Sequence, residues 1–164
     1  MNDITSYMLE QAKKILSIDS PTGFTAHAAE YVLGAYKKLG YDAKLTNKGG
    51  IFVCVNDGPD QADDPADAPI LLEAHMDTLG GMVCSINEKG RLMLSALGGM
   101  NPNNAEAENC RVYTRSGKVY SGTFQLKNAS IHVNGSYNDT ARSYDAMYWT
   151  SLWKARRIPK PSAL

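Results

Sequence analysis

Apolar positions in the first seventeen residues recur at helical spacing: Ile4, Tyr7, Met8, Ala12, Ile15 and Leu16. Such a stripe predicts an amphipathic helix over residues 4–17. Ser20-Pro21-Thr22-Gly23 breaks it. A second helix is predicted from an N-cap at Thr25, burying Tyr31, Val32, Ala35, Tyr36 and Leu39, with Gly40 just past its end. The period then changes to alternation. Tyr41, Ala43 and Leu45 predict a strand, Asn47-Lys48-Gly49-Gly50 a turn, and Ile51–Val55 the next strand. Ile70-Leu71-Leu72-Glu73-Ala74-His75-Met76-Asp77-Thr78 is an apolar run bounded by Pro69 and by Gly80-Gly81, and it predicts a buried strand.

After Asp77 the character changes. Met82–Ile86 and Leu92–Leu97 flank Asn87-Glu88-Lys89-Gly90-Arg91, a hairpin signal. Arg111–Arg115 and Val119–Leu126 flank Ser116-Gly117-Lys118, a second one. A polar loop, Gly98–Asn109, separates them, and Ile131, His132 and Val133 alternate like a further strand, turning His132 to solvent or an interface. Short strands with glycine turns predict a small all-β module following the run that ends at Thr78. The fold class is therefore α/β: the first part of an α/β layer, then a β domain. About three strands and two helices are few for a closed α/β domain.

Composition narrows the function classes. The 164 residues carry 17 Lys+Arg against 17 Asp+Glu, so no net charge draws the chain to nucleic acid or an anionic membrane. No apolar stretch approaches the roughly 20 residues that span a bilayer. The N-terminus lacks a basic region and an apolar signal core, which points to the cytoplasm. Cys54, Cys84 and Cys110 show no C-x-x-C spacing and read as reduced thiols. Asn128, Asn134 and Asn138 begin N-x-S/T triplets, read as chance without a signal peptide. Residues 57–69 carry five aspartates without the ordered spacing of a calcium loop, and read as a solvated surface loop.

The chemistry concentrates at His75 and Asp77. The i, i+2 spacing puts both side chains on one face of an extended chain, at the strand end where α/β sheets collect ligands. An imidazole can bind a metal through one nitrogen while a carboxylate holds the other N–H. A capping or core histidine remains the alternative from spacing alone. His27 falls on the polar side of the second helix. Asp139 and Asp145 flank Arg142 and are expected to pair with it at the surface.

Three pieces together resemble a known family: Ser20-Pro21-Thr22-Gly23-Phe24, then Ala74-His75-Met76-Asp77-Thr78-Leu79-Gly80-Gly81-Met82-Val83, then Arg111–Gly122. In order and spacing they are similar to the N-terminal portion of the glutamyl and deblocking (tetrahedral-type) dinuclear metallo-aminopeptidases. The resemblance runs from about residue 3 to residue 147. It implies a partial α/β/α zinc-peptidase-like catalytic domain over 1–78, followed over 79–147 by an inserted small β-barrel, PDZ-like dimerisation domain. It implies removal of N-terminal residues from peptides, two divalent metal ions (Zn or Co), and cytoplasmic homo-oligomers from dimer to dodecamer. Some members have been labelled cellulases. Carried over by position, His75 is a metal ligand and Asp77, on the catalytic side of the pattern, is the partner that orients it.

The departures matter as much. The family pattern needs a bridging aspartate, an adjacent glutamate pair, another acidic ligand and a late histidine. No Glu-Glu pair occurs, and the only later histidine is His132. Catalytic zinc takes about three protein ligands, so this chain alone is expected to be inactive. A non-catalytic remnant acting only as an oligomerisation module is the alternative. Residues 148–164 hold both tryptophans, Lys154, Arg156, Arg157 and Lys160, and no acidic residue. This basic-aromatic stretch reads as atypical of the family, through truncation or a frame shift after Met147, or as a binding segment for nucleic acid or membrane. One permitted choice of codons, read one base earlier, gives acidic text similar to the family's continuation.

Overall fold

The computed structural model describes residues 3–55 and 70–151. The acidic loop over 57–69 and most of the basic-aromatic stretch, 152–164, lie outside the described residues. Residue contacts divide the chain into two compact units, Met1–Thr78 and Leu79–Leu164. None of the described helices is long and apolar enough to cross a membrane.

In the first unit, the predicted stripe folds as α1 (Asp3–Leu16), with Asp3 in its first turn and Lys13 and Lys14 in its last, each matching the helix dipole. Its apolar face is helical but unburied: Ile4, Met8 and Leu16 are exposed. Helix α2 spans Ala26–Lys38. Thr25 takes the N-cap position, but its hydroxyl caps no backbone N–H. The end is tighter than the start. Gly40 has φ +91, Gly40 N donates to the Lys37 carbonyl and Tyr41 N to that of Tyr36, which is a Schellman closure. Ala28 and Ala29 are the buried residues of α2, and Leu39, expected inside, is exposed. Strands β1 (Lys44–Leu45) and β2 (Ile51–Phe52) form a two-stranded antiparallel ribbon, so the pairing expected as far as Val55 stops early.

The largest correction falls on Ile70–Thr78. Residues 70–77 form no strand; only Thr78 bridges, in parallel, to Pro21. Ile70, Leu71 and Leu72 are 87%, 78% and 90% exposed. A β-strand is defined by its neighbours, and the only other sheet of this unit among the described residues is the β1–β2 ribbon. The apolar run has the sequence of a buried parallel strand without flanking strands to bury it.

The second unit holds an antiparallel five-stranded sheet in the order β3-β4-β7-β6-β5. β3 (Gly80–Ile86) and β4 (Leu92–Leu97) form the first hairpin, with a bulge at Cys84. Its turn is closed by Asn87 Oδ1, which accepts from the Lys89 and Arg91 amides. The expected loop then contains one short helix, α3 (Pro102–Ala105), capped by the Asn101 side chain. β5 (Asn109–Tyr113) and β6 (Val119–Leu126) form the second hairpin, turning at Thr114–Lys118. The alternation expected at Ile131–Val133 is not a strand: these residues lie in turns and are exposed, and no described strand pairs with them. His132 is therefore a surface turn residue.

β7 (Met147–Ser151) joins the two hairpins, pairing with β6 from Leu126↔Met147 to Gly122↔Ser151 and with β4 at Leu92↔Trp149. It runs through the boundary expected after Met147. Met147, Tyr148 and Trp149 are all buried, as a central strand covered on both faces requires. Leu92, Ala105, Phe124, Leu126, Met147 and Trp149 form the core. Arg91 lies over the Tyr148 ring at 4.3 Å. Gly122 faces Trp149 because nothing larger fits: a Cβ there would lie 2.2 Å from the Thr150 carbonyl oxygen and 2.4 Å from the indole.

The candidate site and its clasp

Two segments far apart in sequence build the site. Pro21-Thr22-Gly23-Phe24 is a turn closed by the Phe24 amide on the Pro21 carbonyl at 2.7 Å. Gly23 has φ +84, the third-position geometry of a type II turn, which glycine adopts without strain. The turn grips residues 76–78 at several points. The Thr78 amide donates to the Ser20 carbonyl at 2.8 Å. The Ser20 hydroxyl, with its residue 2% exposed, donates to the Met76 carbonyl at 2.8 Å. The Thr22 hydroxyl donates to Asp77 Oδ2 at 2.7 Å. These bonds hold residues 76–78 in place where no strand ladder does so.

The other Asp77 oxygen, Oδ1, lies 3.2 Å from His75 Nδ1, and the Asp77 backbone carbonyl lies 3.0 Å from the same nitrogen. Both neighbours of Nδ1 are acceptors, an arrangement that favours a hydrogen on Nδ1. In that tautomer the Nε2 lone pair is left for a ligand, on a side chain that is 86% exposed. The Asp77 carboxyl is held below its usual range, first by the Thr22 hydroxyl, with burial opposing and the Asp77 backbone and His75 adding smaller contributions.

The structure thus brings His75 and Asp77 together, as a metal-ligand histidine and its orienting carboxylate would be. It does not complete a metal centre. Among the described residues, no group of three or more His, Cys, Asp and Glu side chains could hold an ion. The donor set fits one ligand of a site and falls short of the site itself. His27 is exposed and sits edge-on to Phe24, with ring centroids 5.8 Å apart. Sequence reasoning treated Thr22 only as part of a helix break and a family motif. Its bond to Asp77 spans 55 residues and has no local signal.

With this geometry in view, the comparisons with known proteins define a class. The chain belongs to the M42 glutamyl aminopeptidase family, whose model matches residues 51–150. That match runs past Met147 into β7. The Bacillus subtilis (strain 168) protein named "Putative aminopeptidase YhfE" is 35% identical over 135 residues, covering 82% of this chain and 36% of its own length. The glutamyl aminopeptidase of Lactococcus lactis subsp. cremoris (strain MG1363) is 32% identical over 112 residues, covering 68% of this chain and 30% of its own. The chain thus spans about a third of the length of these curated relatives. Among solved structures, aminopeptidase APDkam598 from the archaeon Desulfurococcus kamchatkensis superposes with a TM-score of 0.75 at 21% identity, over 94% of this chain and 39% of that one. A structure described as PhTET1-12s, a dodecamer, gives 0.70 at 20% identity, over 91% and 40%. At such identities the likeness is one of fold: mixed α/β with a curled sheet.

Proposed function

We propose that this chain is the N-terminal portion of a dinuclear metallo-aminopeptidase, a hydrolase that removes N-terminal residues from peptides. The carrying observation is the His75–Asp77 pair with Nδ1 held by acceptors, in a chain of the M42 family. In this reading residues 1–78 belong to an α/β/α zinc-peptidase-like catalytic domain and His75 offers Nε2 to one of two divalent ions, zinc or cobalt. Asp77 keeps the ring in that tautomer. When bound, such ions act as Lewis acids and lower the pKa of a shared water. In this reading the general base and the remaining ligands, which are not among the described residues, come from outside this chain, and the 164 residues alone do not turn over peptide. The unit from Leu79 is a PDZ-like β-barrel dimerisation module that includes β7, and the protein works as a cytoplasmic homo-oligomer. A dodecameric fold neighbour supports the oligomer.

The test is to read the coding DNA onward from the Tyr144 codon and express the longest product. Peptide turnover that falls at least a hundredfold in His75→Ala is expected. Turnover that survives His75→Ala, or tight stoichiometric zinc with turnover in the 164-residue chain alone, overturns the reading.

A second reading, an oligomerisation module without catalysis, is favoured by the uneven packing. The second unit buries Leu92, Phe124, Leu126, Met147 and Trp149, whereas among the described residues of the first the buried ones are Ser20, Ala28, Ala29 and Ala43. A self-associating chain that no longer product renders active would select it.

A further inference from the structure

We propose that Thr22 is a positioning residue that fixes the tautomer of His75 through Asp77. Asp77 is a short side chain on a partly exposed stretch of backbone, 39% exposed at the side chain. Left alone, its carboxylate would sample more than one rotamer, and only some of them place an oxygen on His75 Nδ1. The Thr22 hydroxyl removes that freedom by donating to Oδ2 at 2.7 Å, which turns Oδ1 toward the imidazole at 3.2 Å.

Threonine suits this task. Its β-branch restricts χ1, so the hydroxyl direction follows the backbone closely. That backbone is itself fixed, by the type II turn at Gly23 and by the parallel bridge between Pro21 and Thr78. Ser20 and Thr22 therefore divide the work. Ser20 locks the backbone at Met76 and Thr78, while Thr22 locks the carboxylate between them. Among the described residues the imidazole, 86% exposed, meets acceptors at Nδ1. Without Oδ1 in place, the acceptor left among the described residues is the Asp77 carbonyl at 3.0 Å, and water competes for the ring.

The inference gains its purpose from the proposed ligand role of His75, but its test stands apart from that role. The full 164-residue chain, labelled with nitrogen-15 at histidine, is examined by two-bond nitrogen–proton correlation at a pH above the ordinary imidazole value of about 6.5. His27 and His132, both exposed, are internal references for a ring in water. His75 is expected as the single Nδ1–H tautomer in the parent chain. Thr22→Val, which keeps the shape and loses the hydroxyl, moves His75 to the mixture shown by His27 and His132. Thr22→Ser, which keeps the hydroxyl, retains the Nδ1–H form.

A parent chain whose His75 already shows the mixture overturns the proposal whatever the variants do. So does a folded Thr22→Val chain whose His75 stays wholly Nδ1–H, and so does a folded Thr22→Ser chain that loses that form. Failure of the ligand role registers separately. Excess zinc would then perturb Nε2 of His75 no more than that of His27 or His132, with the tautomer result unchanged.

Discussion

Arg142 and Glu106 lie 36 residues apart and meet at 2.8 Å, Nε to Oε2, with side chains only 13% and 20% exposed. The pairing expected with Asp139 or Asp145 does not form. Instead one guanidinium serves three acceptors, adding the Tyr137 and Thr140 carbonyls at 2.9 and 2.8 Å, and lies 4.7 Å from the Tyr137 ring centre. Arg142 thereby staples the long connection between β6 and β7 to the end of α3.

A lysine cannot reproduce that fork or its stacking. Arg142→Lys is therefore expected to lower the thermal midpoint by more than Glu106→Gln does, and to speed amide exchange across residues 127–146. Exchange in that segment unchanged from the parent would refute the staple.

Gly122→Ala places a methyl against a backbone carbonyl that β-pairing holds and against a buried indole. Overpacking of this kind costs about 3 kcal/mol or more when backbone must move. Chemical denaturation should show a large fall in midpoint with an unchanged slope. A loss below about 1 kcal/mol would mean that β6 and β7 are less tightly apposed than described.

On α1, Lys14 donates to Glu10 one turn away. The hydrogen bond, then the charge of Lys14, holds the Glu10 carboxyl below its ordinary 4.5, and the bond to Glu10 holds Lys14 above its ordinary 10.5. The lowered carboxyl contributes stability above 4.5 that is lost as pH falls through its folded value. The raised ammonium contributes stability below 10.5 that is lost as pH rises through its folded value. The difference in helical circular dichroism between the chain and Glu10→Gln should thus plateau between those limits and shrink outside them. High salt should flatten it, since the pair is exposed. A difference that ignores both pH and salt would remove the pair from the helix's support.

Burial pushes the Cys110 thiol up, whereas Cys84 sits exposed on the β3 bulge. Thiolate is the reacting form and access to it matters, so alkylation of Cys110 should run slower than that of Cys84. Equal rates would show that β5 opens readily from the sheet.

Local signals made the helices and hairpins legible. The stripe of α1, Gly40 at the end of α2, and the Asn87–Arg91 and Thr114–Lys118 turns each carry their instruction within a few residues. Partnership was not legible. Ile70-Leu71-Leu72 has a strand's composition, but composition cannot supply the neighbours a strand pairs with. Met147-Tyr148-Trp149 shows no alternation because both its faces are covered, so the central strand resembled the start of an irregular segment. At the candidate site, His75 and Asp77 were legible from a two-residue spacing. Thr22 was not, because a hydroxyl reaching across 55 residues leaves no period to detect.

The place of β7 also sets an order of events during synthesis. Both hairpins leave the ribosome before Met147, and each can form from its own turn. Yet among the described residues β4 and β6 are joined through β7 and not to each other. Until residues 147–151 emerge, the nascent chain holds two hairpins with a strand-wide slot between them and exposed pairing edges on either side. The sheet becomes cooperative only when its last strand enters its middle, and before that the slot is open to a strand from another nascent copy.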